Sequence, residues 1–165
     1  MARDWAIQET ADWLGVTQDQ AQEAGVFEGL ATELISMRLF PEAAETLAQL
    51  RANGFTLGIC SNLAQPYSAP LRALLPFEMD AYVWSFEVGA IKPSPIIFQA
   101  ACEALQVKPD EILMIGDTYE ADCLGPRMHE MQALHLARTG CSPDSIFLKS
   151  LSGLHMICAP EGGHD

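Results

Sequence analysis

Two apolar runs, FTLGIC at residues 55–60 and ILMI at 112–115, each give way without transition to small polar residues. They are too short for helices and too apolar for a surface. Each therefore reads as a strand of a parallel sheet, with ILMI buried on both faces. Around them the pattern turns helical. Pro41 stands at a helix start, Ala44, Leu47, Ala48 and Arg51 share a stripe, and Asn53-Gly54 supplies a stop. Ser94-Pro95 offers an N-cap and a first-turn proline ahead of Ile97, Ala101 and Leu105 at helical spacing. Residues 82–85 and 133–136 read as further strands, 121–131 as a helix and 154–158 as an edge strand. Strands alternating with helices predict an α/β fold, a Rossmann-like open parallel sheet with right-handed crossovers.

Residues 1–38 read as helical throughout. Thr17 with Gln20 resembles a capping box, Gly25 is placed to end that helix, and Phe27, Leu30, Leu34 and Met37 share one face of the next. Trp5 and Trp13 are expected to pack. The 165 residues carry 9 basic and 22 acidic side chains, a net charge of −13. Such a surface repels phosphate backbones and anionic lipid, so neither nucleic acid nor membrane is an expected partner. No apolar run is long enough to cross a bilayer, and residues 1–14 lack a secretory pattern. The five cysteines form no CxxC pair and are expected to be buried thiols of a reducing compartment, the cytoplasm. His129-Glu130 with His135 does not fit the HExxH zinc spacing.

The chemistry is expected where the strands end, because ligands of open α/β sheets bind beyond the carboxyl ends. FTLGIC runs into Ser61-Asn62, and ILMI into Gly116-Asp117, with Asp122 five residues further in the next helix. Gly116 permits a tight turn, and the two carboxylates can face one point as oxygen ligands for Mg²⁺. Capping of the following helix is the plainer role for both. Lys92 precedes the Ser94-Pro95 helix start, where its ammonium can neutralise a phosphate or remain a solvated loop charge.

Together these segments resemble the haloacid dehalogenase superfamily of aspartate-nucleophile phosphatases and related hydrolases. LFPEAAETLAQLRANGFTLGICSN is similar to the helix and strand leading to its second motif, GAIKPSPIIFQAACEAL to its third and ILMIGDTYEADCLGPRMHEM to its fourth. The resemblance covers residues 39–158 and implies phosphomonoester hydrolysis of a small phosphorylated molecule with Mg²⁺. By it, Ser61 hydrogen-bonds the transferring phosphoryl group and Asn62 helps orient it. Lys92 balances charge, Asp117 binds the metal, and Asp122 is a ligand or lies just behind it. Gly116-Asp117 stands where the metal-free dehalogenases of the family carry a serine-rich segment, which favours the phosphatase branch.

The family's first motif, a strand ending in Asp-x-Asp-Gly-Thr that carries the nucleophile, is not among these residues; Asp4 has no apolar strand before it. Residues 1–38 are similar instead to the last helices of the family's helical cap, leaving 39–165 as the core. In the family that motif's strand lies between the strands ending here at Cys60 and Ile115. Without it those strands must pair directly, borrow a strand or expose backbone groups. The expectation is a hydrolase by descent that is inactive as this chain alone. A truncated enzyme, a fragment completed by another chain, and a non-catalytic binding module on the same scaffold are the alternatives. Self-association is expected from the uncovered apolar surface.

Overall fold

The computed structural model describes residues 25–156 of the chain. Trp5, Trp13, the Thr17 capping box, Cys158 and the last two residues of the expected edge strand lie outside them. Gly25, at φ 68°, leads into α1 (Val26–Ser36), followed by α2 (Ala43–Ala52), β1 (Gly58–Ser61) and α3 (Gln65–Leu74). Then come β2 (Ala81–Trp84), the single turn α4 (Ser85–Val88) and α5 (Pro95–Leu105). A 3₁₀ turn at Pro109–Glu111 precedes β3 (Leu113–Gly116). A wide π-type turn (Glu120–Leu124), α6 (Gly125–Met128), β4 (Gln132–His135) and a closing 3₁₀ stretch (Leu151–Met156) complete the order.

The four strands among the described residues form two parallel pairs, β1 with β2 and β3 with β4. Alternation along the ladder says which way each peptide group points. The Leu57 carbonyl accepts from Asp80 N–H, so Leu57, Ile59 and Ser61 face β2, while Gly58 and Cys60 face away. Ile112 and Gly116 accept from Gln132 and Leu136, so Leu113 and Ile115 turn away from β4. Among the described residues β1 and β3 do not pair with each other, and no strand covers either of these edges. β3 is accordingly half-buried throughout, and full burial, expected of ILMI, is reached only at Ile112.

One helix holds the two pairs together. Ile97, Phe98 and Ala101 of α5 pack with Val83, Ile112 and Met131, and Cys60 and Met114 from both sides join that core. The Ser94 hydroxyl accepts from Ile96 N–H to start this helix. In α2 the buried face is turned from the expected stripe: Ala43 and Thr46 are buried, whereas Ala48 and Arg51 are exposed. Arg51 instead reaches Asp80 at 3.0 Å and lies over the Phe77 ring, so its charge decides its side of the helix. The expected edge strand at 154–158 is, over its described part, the 3₁₀ stretch. Leu151 and Leu154 share one side at three residues per turn, and Leu154 is buried. The edge is marked by the single bridge Leu136–Leu148. Cys123 is buried and Cys60 and Cys102 are partly so, but Cys141 is exposed on the loop after β4, contrary to its expected burial.

Candidate active site

Ser61 is the last residue of β1, and Asn62 follows it. The Asn62 side chain takes both backbone groups of one residue: Lys92 N–H donates to its Oδ1 at 2.7 Å, and its Nδ2 donates to the Lys92 carbonyl at 3.0 Å. This amide-to-backbone pairing sets Lys92 beside the end of β1. The Lys92 ammonium then donates to the Cys60 carbonyl at 2.9 Å and to Asp122 Oδ1 at 2.7 Å. Both charged side chains are nearly enclosed, at 11% and 5% exposure, so the pair carries its charge out of bulk water.

Asp122 is held just as firmly from the other side. Its Oδ2 accepts from Thr118 N–H at 2.9 Å, and its own N–H donates to the Thr118 carbonyl at 2.7 Å. The carboxylate lies over Gly116, where a Cβ would meet its Cγ and Oδ2 at 2.3 Å. Room for Asp122, not an unusual backbone angle, is what glycine supplies here. Gly125 does the same for the Lys92-Pro93 turn, since a Cβ there would meet the Pro93 ring at 2.6 Å. Burial pushes the Cys60 thiol below this charge pair up to about 11, so it stays protonated.

Asp117 is exposed at the end of β3, and the buried His135 of β4 holds its backbone carbonyl at 3.2 Å. Ser61, Lys92, Asp117 and Asp122 thus share the carboxyl ends of β1 and β3, with the Lys92–Asp122 pair spanning the interval between those strands. Asp122 faces Lys92 instead of standing free beside Asp117. Among the described residues no three His, Cys, Asp or Glu side chains gather closely enough for a metal ion. One uncommitted carboxylate next to a fixed ammonium does not make a divalent-cation shell, so these residues by themselves do not fit Mg²⁺.

Sequence reasoning missed the residues behind Asp117. Tyr119 donates to Asp144 Oδ1 at 2.8 Å, and Arg127 binds both oxygens of Asp144 at 3.1 and 2.6 Å. These donors hold the Asp144 carboxyl below its usual range, with Arg127 the larger cause, and hydrogen bonding to Asp144 raises the Tyr119 phenol. The turn-forming string Ser142-Pro143-Asp144 was the only signal for that loop.

Residues 2–128 match the haloacid dehalogenase-like hydrolase family. The chain belongs to that family. Among relatives of this haloacid dehalogenase-like chain, a glyceraldehyde 3-phosphate phosphatase of Methanopyrus kandleri is 33% identical over 109 residues, covering 65% of this chain and 47% of its own. A phosphoserine phosphatase of Thermus thermophilus is 29% identical over 144 residues, covering 86% and 57%. The chain thus spans about half the length of these curated relatives. Solved structures agree on the fold. A HAD phosphatase from Thermococcus onnurineus superposes with a TM-score of 0.68 at 23% identity, over 90% of this chain and 84% of that one. The HAD-hydrolase YfnB of Bacillus subtilis, solved bound to magnesium, gives 0.72 at 20% identity, over 91% and 69%. By descent the chain is a haloacid dehalogenase-like family member of the α/β type. No helix among the described residues is long and apolar enough to cross a membrane.

Proposed function

We propose that this chain is the anion-binding half of a phosphomonoester hydrolase, able to receive a small phosphorylated molecule but unable to cleave it alone. The observation that carries the reading is the Lys92–Asp122 pair, held between the ends of β1 and β3 with Ser61 and Asp117 beside it. In this reading the Ser61 hydroxyl donates to a phosphoryl oxygen, and Lys92 offers positive charge to it. Asn62 acts indirectly, because both polar atoms of its amide are spent on the Lys92 backbone. Asp122 keeps the ammonium aimed, and Asp117 contributes the remaining carboxylate. A Mg²⁺ site would need further oxygen ligands on a completing segment.

Charge and positioning stabilise a transition state only when a nucleophile stands in line, about 3–3.5 Å from phosphorus. No described general base lies against the Ser61 hydroxyl, and the Asp122 carboxylate, which reaches into the interval between β1 and β3, is spent on Lys92 and the Thr118 N–H. That interval, flanked by outward-facing peptide groups of Gly58, Leu113 and Ile115 and by the Cys60 N–H, its carbonyl being held by Lys92, has the hydrogen-bonding character of an acceptor for one more strand. A completing strand is therefore the partner this reading assigns. Residues 1–38, α1 included, are read as part of a helical cap, and the free thiols of the described cysteines suit the cytoplasm.

The test is turnover. With Mg²⁺ and an aryl phosphate the chain is expected to hydrolyse no faster than its Asp117→Asn variant, while orthophosphate protects Lys92 from amine acylation. Turnover that survives repurification and is lost in Asp117→Asn would overturn the reading. Then Asp4 would be the first residue to change.

A further inference from the structure

Behind Asp117 runs a hydrogen-bonded chain whose two end links have a fixed direction. The Asp117 carbonyl can only accept, so His135 must donate from Nε2, at 3.2 Å. In the neutral ring Nδ1 is then an acceptor, and the Ser142 hydroxyl, 2.8 Å away, must donate to it. That leaves the Ser142 oxygen to accept from the Asp144 N–H at 3.1 Å. Each donor polarises the next, so the links strengthen one another in this buried setting. The loop is anchored at the same place by Asp144, which takes Tyr119 and Arg127, and the Tyr119 ring meets His135 edge-on at 5.3 Å.

We propose that Ser142 is a positioning residue: through His135 it fixes the peptide that follows Asp117, and so the direction in which the Asp117 carboxylate leaves β3. Asp144 locks the strap that carries Ser142. The geometry has a local purpose that packing alone does not require. Asp117 is exposed and, among the described residues, no other hydrogen bond holds it, while the next N–H, of Thr118, must point back to Asp122 Oδ2. A peptide turned the wrong way would lose that bond and loosen the partner of Lys92. The inference rests on the reading of Asp117 as a site residue, but it concerns geometry.

Amide hydrogen exchange on the full chain tests it without any turnover. Ser142→Ala should speed exchange at Thr118 and Asp122 about tenfold, the loss of one linked hydrogen bond. Asp80 and Thr46, whose amides bond Leu57 and Glu42 elsewhere in the fold, should not change. Ser142→Thr, which keeps the hydroxyl, should restore the native rates, and Asp144→Asn should reproduce the local loosening. Unchanged Thr118 and Asp122, or a rise shared equally by all four amides, would overturn the proposal. Failure of the phosphatase reading shows up in turnover and leaves these rates as they are.

Discussion

A methyl group on Gly116 would stand 2.3 Å from the carboxylate carbon of Asp122. The end of β3 and the partner of Lys92 therefore compete for the same space, and any side chain at 116 must push the carboxylate away. Gly116→Ala is expected to cost about 1–3 kcal/mol by overpacking. It should also break the Asp122–Thr118 contact, read as a displaced Thr118 amide resonance. A variant with wild-type stability and an unmoved Thr118 would contradict this.

Removing one member of the buried pair strands the other. Lys92→Met leaves the Asp122 carboxylate enclosed without a counter-charge, and about 3–5 kcal/mol of stability should go with it at pH 7. Adding Asp122→Asn should recover a large part, because a neutral amide no longer needs the ammonium. Urea denaturation of the two variants checks the pair; equal losses in both would count against the coupling.

Acid should weaken the contact between α2 and the segment after β4. The Arg138 guanidinium, 2.5 Å from Glu42 and stacked on Phe40, holds the Glu42 carboxyl at about 2 instead of its ordinary 4.5. The ionised form is thus favoured by the fold. Its contribution is complete above pH 4.5 and is lost as pH falls towards 2. Melting curves of the chain and of Glu42→Gln should differ above pH 4.5 and converge near pH 2. A constant difference across that range would show that the ion pair does not act this way.

Ile35, Phe40, Ile91, Ile96, Met128 and Ile146 are all more than half exposed, and no described strand covers the facing edges of β1 and β3. The chain should self-associate at micromolar concentration. Sedimentation that gives a single monomer, with a cooperative melt, would show that something else covers these edges.

Much of this was readable from residue order. The strands of the core end within one residue of the expected runs, although β1 starts three residues later than Phe55, and α5 begins at Ser94-Pro95 as its capping chemistry demands. The positions of Ser61, Lys92, Asp117 and Asp122 followed from where those runs end. What could not be read was partnership. Whether Asp122 faces Asp117 or Lys92 depends on a contact across 30 residues, and pattern along the chain carries no record of it. Helix α3 was not anticipated: Pro70 stands inside it, where proline ordinarily interrupts a helix, while Pro66 sits harmlessly in its first turn. The Ser142–Asp144 strap has no periodicity at all; only its burial partners reveal it.

The grip of Asn62 on Lys92 has a consequence for how this family member can change. Its amide behaves like a borrowed peptide unit, meeting the Lys92 backbone as a neighbouring strand would. The lysine is therefore braced from the tip of β1 rather than by the connection that carries it. Within the stretch from Phe86 to Ile91 the exposed Glu87 and Ile91 are therefore free to drift in sequence, whereas Val88 packs on the core, Gly89 holds a φ of 72° and Ala90 is buried.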